Sequence, residues 1–553
     1  MIQTPARRLP ALADASGTLL KVMLFLTCVV WIFAGLFFHD PWKPDEAYTF
    51  GLVHHMLDSG NWIVPMLGGE PFVEKPPIFF IVARGFAKAF APVMPQHDGA
   101  RLATAFFMLL TSLFTALTAH KLNDGRHGLL AVLILLGCVG LLPRAHQLIT
   151  DMALLSGFAM GFYGFALCRE RPWLGGFFLG TGVGLGFMSK GMIAPGALGL
   201  IALALPLTGP QWRQRRYFLA LAVSLAVMLP WLAVWPWLLY RESPKLFNEW
   251  FFVQNWGRFH GTAHLSFPNE RGFYFKILPW YGWPAWPLAL WALWRYGPGR
   301  FAEQPIQLPL VCFTVVMLVL SLAGESRELY ALPLLIPLSL LAVAGADGLR
   351  LSAVATINRL SLGIMALLAL ALWLGWLCMV LNWPFHWAEW ILNLAHSQSE
   401  LPFMPVEFAL AVIASVICLT TIVSARRDDR RPIINWTAGL TLLWALAMTL
   451  WLPVIDEQKS YRRMMNALYA AMPPGFDCIA SRKLGEPQRA LLDYYLGLVT
   501  LRLENGEGNG CRLLLEQGDT ASIQADPPSY RKIWEGARPG DSGERYWLYQ
   551  RED

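Results

Sequence analysis

Residues 19–38 read LLKVMLFLTCVVWIFAGLFF, and residues 39–50 read HDPWKPDEAYTF. The first run carries a single charge, Lys21, and at about 20 residues it can cross the hydrocarbon of a bilayer as a helix. Arg7 and Arg8 precede it and no small-residue cleavage site follows, so it reads as an uncleaved first span with a cytoplasmic N-terminus. The second run sets two carboxylates, Asp45 and Glu46, just beyond the membrane.

The whole chain has the same character. Of its 553 residues, 55% are hydrophobic and 15% charged, with a mean hydropathy of +0.42. A soluble domain carries about 25% charged residues. The shortfall excludes an ordinary soluble enzyme, a disordered chain and a nucleic-acid binder. The formal net charge of +6 is carried largely by basic residues in short loops, where it reports topology.

Further apolar runs lie near 101–120, 129–143, 150–168, 174–189, 192–208, 217–239, 276–294, 308–323, 329–346, 357–381, 404–424 and 434–453, giving about 13 spans. The run 77–91 is shorter and contains Arg84 and Lys88, as an interfacial helix would. Leaving it out of the count puts Lys121, Arg126, Arg169, Arg171, Arg213–Arg216, Arg295, Arg300, Arg350 and Arg426–Arg431 all inside. The expected class is an α-helical polytopic membrane protein with a small C-terminal α/β domain. Residues 1–455 would form the membrane domain, its first loop (about 40–100) outside, and 456–553 a soluble periplasmic domain.

In that tail the pattern predicts a helix near 459–472, a strand at 476–481 and a helix at 485–498. Strands follow near 501, 511–515 and 546–550. Six of the eight cysteines lie in or at the ends of spans, as small apolar residues do. Cys478 and Cys511 lie in the tail, where an oxidising compartment permits a disulfide, and spacing alone leaves bridged and free thiols equally open.

On this topology the remaining polar residues come out on one side. They are Asp45 and Glu46, then Glu74-Lys75-Pro76-Pro77, Asp151, Ser189-Lys190-Gly191, Arg258, His260, His264, Glu325, Arg327, Glu328 and Tyr330. Charges at a membrane boundary are costly, so a shared site is the economical reading. Ammonium and guanidinium groups at headgroup depth suit a lipid phosphate, and a nearby carboxylate suits a general base. Together they point to transfer of a group from a lipid phosphate, the leaving charge met by Lys75, Lys190, Arg258 or Arg327. Glu74, His260 and His264 could instead gather a divalent metal, although two histidines in a loop are more commonly plain surface residues. No other cofactor is indicated. Gly180, Gly182, Gly184 and Gly186 lack the spacing of a phosphate loop and read as helix packing.

These motifs occur in a telling order: Pro44-Asp45-Glu46, Gly-Asn-Trp-Ile-Val-Pro at 60–65, Glu74-Lys75-Pro76-Pro77, Met188-Ser189-Lys190-Gly191, Trp256-Gly257-Arg258-Phe259, and Tyr330 before Leu332-Pro333. In this order the chain resembles the glycosyltransferase C superfamily. The nearest branch is the bacterial one containing the lipid A aminoarabinose transferases, related to protein O-mannosyltransferases. The resemblance runs over essentially the whole chain. It implies a polyprenyl (undecaprenyl) phosphate-sugar donor, an inner-membrane location and inversion at the anomeric carbon. Asp45 would be the base, with Glu46 beside it, and Glu74, Lys75, Asp151, Lys190, Arg258 and Tyr330 would line the donor cavity with Arg327 near. The branch usually reads Asp-Glu-x-Arg-Tyr, whereas this chain reads Asp45-Glu46-Ala47-Tyr48-Thr49. The acceptor therefore stays open among lipid A, another lipid, a glycan and a protein.

The alternative is a transporter or flippase of lipid-linked sugars. That class would bring repeat symmetry, broken mid-span helices or midplane charges, none of which is read in the sequence.

Overall fold

In a computed structural model the apolar runs form helices around a shared core, and the polar tail forms a sheet seated against the first loop. The structure describes residues 10–123, 125, 127–257, 260, 270–346, 351–394, 402–428, 430–519, 529–541 and 543–552. The first helix, α1 (Pro10–Phe33), leads into a loop that contains α2 (Asp45–Ser59) and α3 (Ile78–Phe90). Between those two lies the hairpin β1 (Met66–Leu67) and β2 (Glu70–Pro71). Next come α4 (Gln96–Leu122), α5 (Gly128–Leu136), α6 (Asp151–Leu167) and α7 (Pro172–Lys190).

Among the described residues, six helices are long and apolar enough to cross a membrane, or seven if the bent pair Arg431–Ala447 and Leu452–Lys459 is one span. Three shorter apolar helices add to them. This falls below the expected thirteen because several apolar runs fold as short or broken helices. The 77–91 run is α3, whose 13 residues rise only about 20 Å. It buries Phe79, Phe80, Ala83 and Ala87 on one face and lies against α4, as an interfacial helix does.

Unbroken spans are not what the structure shows. The run 129–143 stops being helical at Leu136, and the run 276–294 divides into Phe273–Tyr281 and Ala285–Tyr296. Gly282 and Pro284 interrupt the second, since proline offers no amide and clashes with the preceding turn. The two breaks meet. The Val139 amide donates to Trp283 O at 3.1 Å and the Gly140 amide to Tyr281 O at 2.9 Å. Backbone groups released by each break are thus satisfied by the other, which an apolar surrounding requires. The reading that no span is interrupted is therefore corrected, and with it one argument against a transporter.

The helices α6 and α7 run antiparallel through a short turn, so Asp151 at the start of one meets Lys190 at the end of the other. Their contact is built on glycine. A Cβ on Gly182 would fall 2.6 Å from Gly157 O, and one on Gly164 2.6 Å from Leu179 N. The glycine run of α7 is packing surface, as the sequence suggests. At the opposite end of this pair sit the basic turns, where Lys121 pairs with Glu170 and the Arg169 guanidinium lies 5.7 Å from the Trp212 ring.

The tail forms β3 (Ile479–Arg482), β4 (Leu501–Arg502), β5 (Leu513–Asp519), β6 (Tyr530–Gly536) and β7 (Glu544–Arg551), in the order β4-β3-β5-β7-β6. The first three strands pair in parallel and the last two join antiparallel. Helices Arg462–Ala471 and Glu486–Leu496 accompany the sheet. Cys478 and Cys511, each just ahead of one of the neighbouring strands β3 and β5, are joined by a disulfide with their Cα atoms 5.2 Å apart. The sequence reading did not name β6. Its run Tyr-Arg-Lys-Ile-Trp-Glu-Gly carries three charges in seven residues, as suits an edge strand, where charge blunts further pairing.

Candidate active site

Asp45 and Glu46 occupy the first turn of α2, where carboxylates are favoured by the helix dipole. The helix ends at Gly60, in the left-handed region at φ 73°, and its amide closes on Met56 O at 3.1 Å. The chain then returns through the hairpin, and Pro76-Pro77 directs it into α3. Lys75 thereby comes back over the start of α2.

Tyr48, one turn after Asp45, joins the two. Its hydroxyl donates to Asp45 Oδ1 at 3.1 Å and accepts from Lys75 Nζ. Lys75 is buried, its Nζ 4.8 Å from the Tyr48 ring centre. Burial opposes the ammonium charge, yet Tyr48, Glu74, Asp151 and Asp45 around it hold its pKa above the ordinary lysine value. The same burial pushes the Tyr48 hydroxyl up. Lys190 donates to Asp151 Oδ1 and stands 4.4 Å from the Tyr330 ring centre. Asp151 is buried, and its Oδ2 has no partner among the described residues. Tyr330 belongs to a single turn after Arg327, closed by its own amide to Arg327 O at 3.1 Å. One buried ammonium group, one half-buried ammonium group, an unfilled carboxylate oxygen and a half-buried carboxylate thus share one region.

Glu46 belongs to a different network. Its Oε1 accepts from Arg101 Nε at 2.7 Å and from the Leu148 amide at 3.3 Å, and its Oε2 from the Trp42 amide at 3.1 Å. Arg101 is fully buried and also reaches Asp98 at 2.6 Å, His39 O at 2.9 Å and Asp40 O at 3.0 Å. Burial opposes the Glu46 charge, but Arg101 holds its carboxyl below the usual range. Glu46 thus pins the loop that precedes Asp45 to the helix bundle.

Arg258 and His264 lie outside the described residues. His260 is exposed, its Nδ1 3.0 Å from Trp256 O and its ring over Trp256 at 4.6 Å. Among the described residues no three His, Cys, Asp or Glu side chains gather as a metal site. A cavity of about 750 Å³ lies apart from Lys75 and Lys190, where the ends of α1 and α3 approach Asp456 and Arg462.

The comparisons bear on this arrangement. A family model described as dolichyl-phosphate-mannose-protein mannosyltransferase matches residues 74–235, a stretch that begins at Glu74 and includes Lys75, Asp151 and Lys190. ArnT from Cupriavidus metallidurans, crystallised with undecaprenyl phosphate, superposes with a TM-score of 0.72 over 96% of this chain and 97% of its own, at 18% identity. This chain has the fold of that ArnT. Among curated relatives, the undecaprenyl phosphate-alpha-4-amino-4-deoxy-L-arabinose arabinosyl transferase 1 of Sodalis glossinidius is 31% identical, over 59% of this chain and 58% of its own length. The second such transferase of Pseudomonas fluorescens is 29% identical over 74% and 71%.

Within that fold, sequence reasoning overlooked Tyr48 and Arg101. Tyr48 was legible as a neighbour of Asp45 at helical spacing. Arg101, at the membrane end of α4 three residues after Asp98, was legible as a boundary charge needing a partner.

Proposed function

We propose that this chain is a membrane glycosyltransferase that moves a sugar from a polyprenyl phosphate carrier to an acceptor on the periplasmic side of the inner membrane. The observation that carries this reading is the continuity from the Asp45 carboxylate through Tyr48 to buried Lys75, beside the Lys190–Asp151 pair. Asp45 takes the proton from the attacking group of the acceptor. That group bonds to the anomeric carbon from the face opposite the carrier, which gives inversion. The bond from carbon to phosphate oxygen breaks with its electron pair, and the phosphate gains one negative charge. Lys75 and Lys190 meet that charge, with Arg258 and Arg327 as further phosphate contacts and Tyr330 and Glu74 lining the pocket. Asp151 orients Lys190, and Glu46 orients the loop carrying Asp45.

The relatives' names favour a pentose of the aminoarabinose kind as the sugar. The acceptor is lipid A or another lipid, glycan or protein. A cytoplasmic position for the basic turns, which lie at the end of α6 and α7 remote from Asp151 and Lys190, is supported by the preference of basic residues for that side. On this reading the site and the C-terminal sheet domain (about 456–553) lie in the periplasm.

Purified protein in liposomes with a labelled polyprenyl-phosphate sugar and lipid A tests this. Wild type should release polyprenyl phosphate and label the acceptor, whereas Asp45→Asn should bind the carrier and fail to transfer. Full transfer by that variant removes Asp45 as base. Movement of intact donor between leaflets, with no release of polyprenyl phosphate, establishes the flippase instead, a reading kept open by the paired helix breaks.

A further inference from the structure

The proposed base and the proposed phosphate-binding lysine stand on two separate strands of the first loop. Both strands are gripped by the C-terminal sheet domain shortly before the residue that matters. On the first strand, Asp40 receives the Arg462 guanidinium at 3.0 Å and the Ser460 hydroxyl at 2.6 Å, and the Trp42 indole donates to Asp456 at 2.8 Å. Lys43, two residues before Asp45, reaches Asp541 at 3.2 Å and also Glu544. Glu544 is itself fixed by the hydroxyls of Tyr461 at 2.9 Å and Tyr546 at 2.8 Å.

On the second strand, Glu70 accepts from Arg489 at 2.8 Å, Arg502 at 3.1 Å and Asn505 at 2.6 Å, four residues before Glu74. The backbones meet closely between these grips. A Cβ on Gly51 of α2 would fall 2.5 Å from the Ala490 Cβ, and one on Gly69 2.6 Å from Val499. Arg489 and Ala490 are neighbours on the helix Glu486–Leu496, so a single rigid element touches both strands.

A surface ion pair contributes little to stability, and a domain resting on a loop would need only a few. What is unusual here is position: two independent charge networks fasten the two strands that carry opposite halves of the site. We propose that the C-terminal sheet domain sets the spacing between Asp45 and Lys75, with Glu544 and Arg489 acting as positioning residues on its two grips. This rests on the functional reading above, in which Asp45 is the base and Lys75 holds the carrier phosphate. A misplacement of about 1 Å can cost a hundredfold in rate, so such grips matter beyond their contribution to folding.

The two grips should be separable. In full-length protein in liposomes, Glu544→Gln loosens the strand of Asp45. It should lower kcat about tenfold or more while the donor KM stays within about twofold. Arg489→Met loosens the strand of Lys75. It should raise the donor KM about tenfold and weaken binding of undecaprenyl phosphate, with kcat largely kept. Hydrogen exchange should quicken over 40–50 in the first variant and over 66–77 in the second. The conservative variant Arg489→Lys, which keeps the charge on Glu70, should retain donor binding.

The proposal is overturned if both variants change kcat and KM alike in step with lost thermal stability, or if exchange quickens across the whole loop or nowhere. Wild type that fails to transfer would count against the functional reading. Phosphate binding and exchange would still decide the grips.

Discussion

Asp45 and Glu46 are consecutive residues at the start of one helix, and they face two different regions of the molecule. On the Asp45 side the carboxylate is half-buried and accepts from Tyr48, with Lys75 one bond further on. On the Glu46 side the carboxylate is 3% exposed and accepts from Arg101 and two backbone amides. The same chemical group accepts one hydrogen bond in one region and three in the other. A base must be able to take a proton from something outside the protein, whereas a buried carboxylate held by an arginine and two amides serves to hold its surroundings in place. The sequence offered an acidic pair, and the structure divides it into one half-buried group with a single described donor and one buried group tied to an arginine and two amides, as the proposed base and a structural anchor require.

The sharpest way to break this contrast is to neutralise each member in turn. Asp45→Asn should lower transfer by about 10²–10⁴-fold with thermal stability in detergent unchanged. A loss of stability instead of rate would erase the distinction. Glu46→Gln should do the reverse. It leaves Arg101 buried with Asp98 as its remaining carboxylate, and it should destabilise by about 3 kcal/mol, seen as a lower unfolding midpoint. Its correctly folded fraction should retain kcat.

A smaller effect should come from the disulfide. Replacing Cys478 and Cys511 with serine should destabilise the sheet domain by about 2–4 kcal/mol without changing the donor KM, checked by proteolysis of the tail.

The last effect is confined to acid pH. Burial, and then the Arg101 guanidinium, push the His39 imidazole down to about 4 from its ordinary 6.5. The unfolded chain therefore takes up a proton that the folded one refuses. Stability from this group is complete above 6.5 and is lost as the pH falls toward 4. His39→Gln should flatten that part of the profile, and an unchanged slope would show that His39 is not among the groups setting it.

Much of this was legible in the sequence because membrane burial makes charge scarce, and a scarce residue type is easily located. The interfacial character of α3 followed from its length, and the tail helices from their apolar spacing. Three things escaped for identifiable reasons. The breaks after Leu136 and at Gly282–Pro284 lie inside runs that remain apolar throughout, so hydropathy cannot register them. Tyr48 is one tyrosine in an aromatic-rich chain, and its helical spacing from Asp45 gains meaning only once Lys75 is seen to donate to its hydroxyl. The edge strand β6 carries three charges in seven residues, as suits an edge, which is the pattern a search for buried alternation discards.

The paired breaks also set an order in time. The amides of Val139 and Gly140 find their acceptors on Trp283 and Tyr281, which the ribosome adds about 140 residues later, some 7–28 s at ordinary elongation rates. Until then two backbone donors in an apolar run lack their final partners. The segment after Leu136 therefore cannot settle when it first enters the bilayer, and it waits for a later helix pair to arrive. A substitution at Gly140, where a Cβ would meet the Tyr281 ring at 2.2 Å, would obstruct that late docking step. Its damage should appear as poor insertion and rapid degradation of the newly made chain.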